Sequence, residues 1–150
     1  MSSLAPIAIF AYNRPWHIQQ TIESLQRDDL ASQSDVYIFS DAAKNSEAAA
    51  NVEMVRQYLG TIGGFKSLKI VEREENWGLA RSITEGITEV IKEHGRIIVL
   101  EDDVVVSTAF LTFMNKALDY YQFHPNIWHI SGYNYPMRLD TVRWSRKMGQ

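Results

Sequence analysis

The sequence contains no cysteine. This absence excludes a disulfide-stapled scaffold, a thiolate-held zinc or iron–sulfur site, and a cysteine nucleophile. Histidine is scarce too, and His17, His94, His124 and His129 show no spacing typical of metal ligands. We therefore do not expect these histidines to bind a metal. His129 is predicted to be a hydrogen-bonded core residue inside a strand.

An excess of positive charge is also missing, since the formal net charge is -3. We therefore expect no nucleic-acid partner. No apolar run approaches the ~20 residues that a transmembrane helix needs. The first twelve residues lack a basic region and a small-residue cleavage site, so we expect no signal peptide and a cytoplasmic protein.

Two common phosphate-binding motifs do not occur. A GxGxxG motif does not follow the first apolar run, and GxxxxGK[ST] is absent. This disfavours a dinucleotide fold of the usual kind and a P-loop nucleotide hydrolase. Phosphates would have to be held by a metal and by Arg81.

What the sequence does contain is a regular alternation of apolar runs and helical periodicities. Helix starts are predicted at Pro15, at Asn45 or Ser46, near Leu79 and at Ser107. Strands are predicted at 6–11, 35–40, 66–71, 96–100 (which 104–106 could extend) and 127–131. The most hydrophobic, 96–100, is predicted to be the centre of the sheet. Alternation of this kind predicts an α/β fold, with a mostly parallel central sheet and helices on both faces.

Polar residues follow each predicted strand. In an open parallel sheet, ligands bind beyond the carboxyl ends of the strands, so these residues are the candidate site. They are Asn13-Arg14, Asp41, 74–76, 101–103 and Tyr133-Asn134.

The strongest single feature is the acidic triplet Glu101-Asp102-Asp103 directly after a buried strand. Adjacent carboxylates repel one another and lose solvation unless a positive charge lies beside them. In an extended chain, Glu101 and Asp103 would point to one face and Asp102 to the other. Oxygen donors on one face suit Mg²⁺ or Mn²⁺. A solvated acidic loop is the alternative.

Asp41 and the segment 76–81 can each be interpreted in two ways, as part of a ligand site or as ordinary structure. Asp41 could accept a hydrogen bond from a nucleobase, or it could cap a helix or form a turn. In the segment NWGLAR (76–81), Gly78 would let the backbone approach a ligand, and Arg81 could grip phosphate. The alternative is an ordinary helix start with Arg81 on a solvated face.

Four segments in order resemble glycosyltransferases of the GT-A fold: PIAIFAYNRP (6–15), DVYIFSD (35–41), NWGLAR (76–81) and LEDD (100–103). The similarity is strongest to β-1,2-N-acetylglucosaminyltransferases with a Glu-Asp-Asp version of the DxD motif. The sequence also resembles the inverting transferases of family 2. The resemblance covers roughly residues 5–134.

The resemblance implies a GT-A, Rossmann-like nucleotide-binding half and a metal-dependent inverting transferase that uses a UDP-sugar. Ala11, Asn13 and Arg14 would lie along the nucleoside, with Asp41 facing the uracil. Arg81 would approach the nucleoside or diphosphate, and Glu101 and Asp102 would contact sugar or ribose. Asp103 would coordinate Mn²⁺ or Mg²⁺.

The resemblance also sets an expectation for domain organisation. Residues 1–136 would form the nucleotide-sugar-binding domain, and 137–150 would begin an acceptor region that the chain lacks. The base acting on the saccharide or glycan acceptor would then lie outside this chain. We expect donor binding without efficient transfer, and possible homodimer formation through exposed apolar surface.

Two other functions stay open at this point. One is a metal-dependent phosphotransfer or receiver-like domain, which also places aspartates at strand ends. Such domains usually carry acidic residues after the first strand, where this chain has Asn13-Arg14. The other is a non-catalytic module that binds a nucleotide sugar.

Overall fold

Four parallel strands form one sheet in the computed structural model, which describes residues 3–133. The strands are β1 (Ile7–Ala11), β2 (Asp35–Ser40), β3 (Ser67–Glu72) and β4 (Ile98–Glu101), in the spatial order β3-β2-β1-β4. The helices are α1 (Pro15–Gln26), α2 (Ser46–Leu59), α3 (Gly78–His94) and α4 (Phe110–Tyr121). A short 3₁₀ turn, Ala31–Gln33, precedes β2.

Alternate residues of the strands pack into two separate clusters, because successive side chains point to opposite faces. In β1, Ile7 and Ile9 belong to the cluster that also contains residues of α1, α2 and α4. Ala8 and Phe10 belong to a second cluster with Val90 of α3. This confirms the predicted parallel sheet with helices on both faces.

Local sequence signals set two of the helix starts. Pro15 occupies the first turn of α1, where its missing N–H costs nothing. The Asn45 side chain caps α2 by accepting from the Ala48 N–H at 3.0 Å. The prediction that Ser107 caps the fourth helix was wrong. α4 begins at Phe110 after Ala109, and no side chain caps it.

The prediction that 96–100 forms the sheet centre was also wrong. β4 pairs only with β1 and is an edge strand within the described residues. Ile98 and Leu100 are buried on the side of α1 and α4, but Val99 is 38% exposed. Val99 lies on the face of the sheet that packs against α3. On that face, α3 contacts β1, and Val99 stays partly exposed. Strong hydrophobicity here reflects one buried face, and the possible extension at 104–106 is not a strand.

The predicted strand at 127–131 does not form. Ile127 N–H donates to the His124 carbonyl in a turn, and Trp128 is 94% exposed. His129, predicted to lie in the core, is exposed as well. β-branched and aromatic residues favour a strand only where a neighbouring strand can pair with them, and 127–131 has none within the described part. Asn134 and the predicted acceptor region at 137–150 lie outside the described residues.

Candidate functional site

A cavity of about 400 Å³ opens at the carboxyl ends of β1, β2 and β4, beside the first turns of α3. The cavity therefore lies at the edge of the sheet where the sequence places the candidate site. Its lining combines aromatic, acidic, basic and amide side chains. They belong to Phe10, Ala11, Tyr12, Arg14, Phe39, Asp41, Lys44, Asn76, Gly78, Leu79, Ser82, Glu101 and Asp102.

Two stacked phenylalanine rings contribute the apolar part of the lining. The rings of Phe10 and Phe39 lie 5.2 Å apart at an interplanar angle of 13°. They pack closely against α3 because Gly86 has no side chain. A Cβ at Gly86 would lie 2.7 Å from Phe10 Cε1 and 3.1 Å from Phe39 Cδ2. Gly86 thus lets α3 and these rings pack together beside the cavity.

Asp41, the first residue after β2, is buried and holds the start of α3. Its Oδ1 accepts from the N–H groups of Ala42 and Trp77, at 3.0 and 2.9 Å. Its Oδ2 accepts from Gly78 N–H at 2.9 Å and from the Asn76 amide at 3.2 Å. The carboxylate lies at a helix N-terminus, where negative charge is favoured. Asp41 is therefore not the N-cap residue of a helix, although its carboxylate accepts hydrogen bonds at the start of α3, and its contact with a base stays a prediction.

The acidic triplet is arranged differently from the extended chain that its sequence suggested. β4 ends at Glu101, and Asp102 and Asp103 lie in a turn. Both reach one guanidinium: Arg14 Nη2 donates to Asp102 Oδ1, and Arg14 Nη1 donates to Asp103 Oδ2 at 3.0 Å. The prediction that Asp102 and Asp103 diverge to opposite faces was wrong, because the strand ends at Glu101, before both aspartates.

Burial separates the two aspartates that share Arg14. The Asp102 side chain is 5% exposed, whereas that of Asp103 is 42% exposed. The hydrogen bond that Arg14 donates to Asp102, ahead of the one that it donates to Asp103, raises the pKa of Arg14 above its ordinary value. The positive charge that the triplet requires is thus supplied by the residue immediately before α1. Asp103 remains the more accessible of the two aspartates.

The donor set suits a metal that arrives with phosphate groups. Within residues 3–133, no three acidic or histidine side chains converge on one point, so these residues form no all-protein metal cage. Mg²⁺ is commonly bound through one or two carboxylates together with substrate phosphates and water. The exposed carboxylate of Asp103 fits that mode.

The remaining predicted site residues are dispersed around the cavity. Ala11 and Glu101 line it, and Asn13 lines a smaller hollow of about 240 Å³ beside Tyr12. Arg81 does not line the cavity. Its guanidinium lies 4.1 Å from the Trp77 ring centre.

A second arginine stacks on the same indole. Arg73 Cζ lies 3.9 Å from the Trp77 ring centre. Guanidinium groups bind aromatic faces through the ring quadrupole. The structure thus shows Arg81 in a stabilising stack at the start of α3, and its predicted contact with the nucleoside or diphosphate stays a prediction.

Sequence reasoning missed several lining residues. Tyr12 directly follows β1 and its hydroxyl accepts from Lys44 N–H at 3.1 Å. Lys44 itself also lines the cavity. Both lie in loops after predicted strand ends, so their positions could have marked them. Ser82 lies four residues after Gly78 in α3, and residues at that spacing share one face of a helix. The prediction that Gly78 approaches a ligand could therefore have included Ser82.

The chain matches the family described as Glycosyl transferase family 2 over residues 7–149. No curated protein matches the chain. Within residues 3–133, no helix is both long and apolar enough to cross a membrane.

Two solved structures from S. aureus resemble this fold. TarS is 16% identical with a TM-score of 0.53, over 78% of this chain and 20% of that chain. A structure of TarS in complex with UDP is 15% identical with a TM-score of 0.49, over 78% of this chain and 33% of that chain. This chain therefore spans a fifth to a third of the length of those two chains. At such identity the first likeness concerns the GT-A fold alone.

Proposed function

This chain belongs to glycosyl transferase family 2, and we propose that it forms the donor-binding part of a metal-dependent inverting glycosyltransferase that uses a UDP-sugar. The observation that carries the proposal is the cavity at the carboxyl ends of β1, β2 and β4. Its volume of about 400 Å³ falls within the usual range for small-molecule sites. It combines an apolar wall with charged groups at its rim, as a nucleotide requires.

The two kinds of lining suit the two halves of a nucleotide donor. The rings of Phe10 and Phe39 and the phenol of Tyr12 offer apolar surface to a base or ribose. Arg14 and Lys44 line the same cavity and carry the positive charge that favours a diphosphate. Glu101 and Asp102 also line the cavity, and their carboxylates would accept hydrogen bonds from hydroxyl groups of the ribose or sugar.

The base contact proposed for Asp41 has a structural condition. A carboxylate offers about four acceptor positions, and Asp41 already accepts from Ala42, Asn76, Trp77 and Gly78. The contact from the Asn76 amide is the longest of these, at 3.2 Å. An N–H of uracil would therefore replace the Asn76 amide, while the two bonds to the start of α3 stay in place.

The chemistry proposed for the site concerns charge on the leaving group. A divalent cation held by Asp103 would act as a Lewis acid on the departing diphosphate. Arg14 and Lys44 would add fixed positive charge beside it. Inversion needs no covalent intermediate, but it needs a base on the acceptor hydroxyl. We propose that this base lies outside the chain. We also propose that Asn13 and Ala11 lie along the nucleoside and that Arg81 approaches the nucleoside or diphosphate.

The deciding experiment is calorimetric titration of UDP in the presence and absence of Mn²⁺. We expect binding that requires the metal. Asp103→Ala should weaken metal-dependent binding by about tenfold or more and leave the thermal transition unchanged, since Asp103 is exposed. Asp29→Ala, an exposed acid on the loop after α1, is the matched control. Equal binding of UDP and Mn²⁺ by Asp103→Ala and the parent would remove Asp103 as the ligand.

Base preference is tested by competition among UDP, GDP and ADP. We expect UDP to bind best. Asn76→Ala should retain or improve UDP binding, because it vacates the acceptor position on Asp41. Equal affinities for the three nucleotides would contradict the uridine assignment.

Transfer is tested separately from binding. We expect UDP-sugar binding by this chain with little transfer to a saccharide acceptor. An in-line acceptor can contribute ~7–11 kcal/mol. Donor hydrolysis and transfer are measured on the same preparation. Binding with neither activity would favour the non-catalytic nucleotide-sugar-binding module.

A further inference from the structure

We propose that Arg14 is the resident counter-ion of Asp102 and Asp103, and that it suppresses metal binding until a diphosphate arrives. The inference rests on the proposed function, because it concerns the metal assigned to Asp103. Its consequence is that cation and diphosphate bind cooperatively. The coupling would reside in one arginine side chain.

The geometry places Arg14 beside the carboxylate that the cation would bind. One guanidinium nitrogen donates to Asp103 Oδ2 at 3.0 Å, and the other donates to Asp102 Oδ1. A cation on Asp103 would bind either the oxygen that Arg14 now contacts or the second oxygen of the same carboxylate. It would also lie within a few ångströms of a positive guanidinium, and like charges at that separation repel.

Burial indicates which half of the contact can be released. Asp102 is buried, and removing its partner would leave an uncompensated charge away from water. Asp103 and Arg14 both have side chains that are more than 40% exposed, so their contact is screened by water and weak. Arg14 can therefore release Asp103 while it keeps Asp102.

Charge explains why a diphosphate would favour that release. Glu101, Asp102 and Asp103 carry three formal negative charges against one on Arg14. Arg14 lowers the negative potential that would otherwise attract a cation. A diphosphate offers Arg14 a second acceptor, since guanidinium groups bind phosphate through paired hydrogen bonds. Its negative charge would also attract the cation.

The test measures Mn²⁺ binding without any turnover. Mn²⁺ alone, and Mn²⁺ in the presence of saturating UDP, are titrated by calorimetry and by the electron paramagnetic resonance signal of free Mn²⁺. For the parent chain we expect UDP to tighten Mn²⁺ binding about tenfold or more, within the range of ordinary coupling between sites. Arg14→Met should bind Mn²⁺ alone about tenfold more tightly than the parent, and UDP should then add much less.

Three further variants keep the result interpretable. Arg27→Met removes an exposed arginine after α1 and should match the parent. Arg14→Lys keeps the charge but lacks the fork that spans two carboxylates, so it should be intermediate. If Arg14→Met does not fold, Arg14→Met with Asp102→Asn removes the buried unpaired charge and is titrated in its place.

The outcomes separate this inference from the proposed function. If the parent binds Mn²⁺ only with UDP and the Arg14 variants show the same Mn²⁺ affinity without UDP as the parent, Arg14 is not the suppressor, although the donor site stands. Weaker Mn²⁺ binding by Arg14→Met would overturn the inference as well. If neither parent nor variants bind Mn²⁺ in the presence of UDP, the proposed metal-dependent function itself fails.

Discussion

At the amino end of the sheet, Asp35 accepts from Lys66 at 2.8 Å and from Ser67 at 2.6 Å. At the carboxyl end, Asp102 and Asp103 share the single guanidinium of Arg14 beside a cavity. The first arrangement neutralises one charge with one neighbour at the surface. The second leaves excess negative charge next to open space. The two ends of the sheet therefore differ in how fully the charge of their acidic residues is neutralised, and only the carboxyl end combines incomplete neutralisation with the cavity described above.

Substitution of Asp41 should give the largest stability difference between the two ends. Asp41→Ala leaves the partly buried N–H groups of Trp77 and Gly78 without their acceptor, which we expect to cost about 2–4 kcal/mol of unfolding free energy. Asp35→Ala should cost within about 1 kcal/mol, because its partners reach water. Urea unfolding of both variants measures the difference.

Asp41→Asn is the control for Asp41→Ala. It keeps one acceptor oxygen and should recover part of the loss. Similar unfolding free energies for Asp35→Ala and Asp41→Ala would mean that the carboxyl end is no more dependent on its carboxylates than the amino end.

Gly86→Ala should have the next largest effect, and it acts on the cavity itself. The added Cβ would meet Phe10 at 2.7 Å, so the Phe10 and Phe39 rings must shift. Overpacking of this kind costs about 1–3 kcal/mol, and we expect UDP affinity to fall with it. Gly60→Ala at the end of α2 is the matched control, because its Cβ has only ordinary contacts, the nearest at 3.5 Å.

Thermal unfolding and UDP titration are run on both glycine variants. A loss of UDP affinity in Gly60→Ala equal to that in Gly86→Ala would place the effect outside the cavity. Unchanged stability in Gly86→Ala would show that the rings move freely, and the cavity would then lack the rigid wall that we describe.

The pH dependence of the amino end should be the smallest effect. The hydrogen bond from Lys66, followed by that from Ser67, holds the pKa of Asp35 below its ordinary value. A lowered folded-state pKa stabilises the protein above the unfolded value of about 3.9, and that stability is lost as pH falls through the folded-state pKa. We expect this contribution to the unfolding free energy to be less than about 1 kcal/mol.

Unfolding free energies of the parent and Asp35→Asn between pH 7 and pH 3 test this sign. The advantage of the parent should be constant near neutral pH and shrink below about pH 4. Lys66→Gln should reproduce most of the loss. An advantage that grows as pH falls would contradict the direction of the shift.

Much of the fold could be predicted because its signals are local. The apolar runs at β1 and β2, Pro15 at the start of α1 and the Asn45 cap of α2 depend on neighbouring residues only. The prediction that the site lies at the carboxyl ends of the strands follows from parallel topology, which alternation of strands and helices indicates. These signals act over one helical turn or one strand, so the amino-acid pattern carries them directly.

The errors concern contacts between distant parts of the chain. The position of β4 at the edge of the sheet, within residues 3–133, depends on which strand pairs with it. The absence of a strand at 127–131 depends on the lack of a partner in the same part of the chain. Neither can be read from a hydrophobic run, because burial on one face and burial on two faces use the same residue types.

By itself, then, the sequence determined the α/β class, most element boundaries and the polar ends of the four strands that form. Only the tertiary structure decided how those polar groups combine. It placed Arg14 across Asp102 and Asp103, 88 and 89 residues away, and it committed Asp41 to the start of α3. The reason is physical: a buried charge takes the partner that the packed strands and helices bring within hydrogen-bond distance, and separation along the chain does not specify that partner.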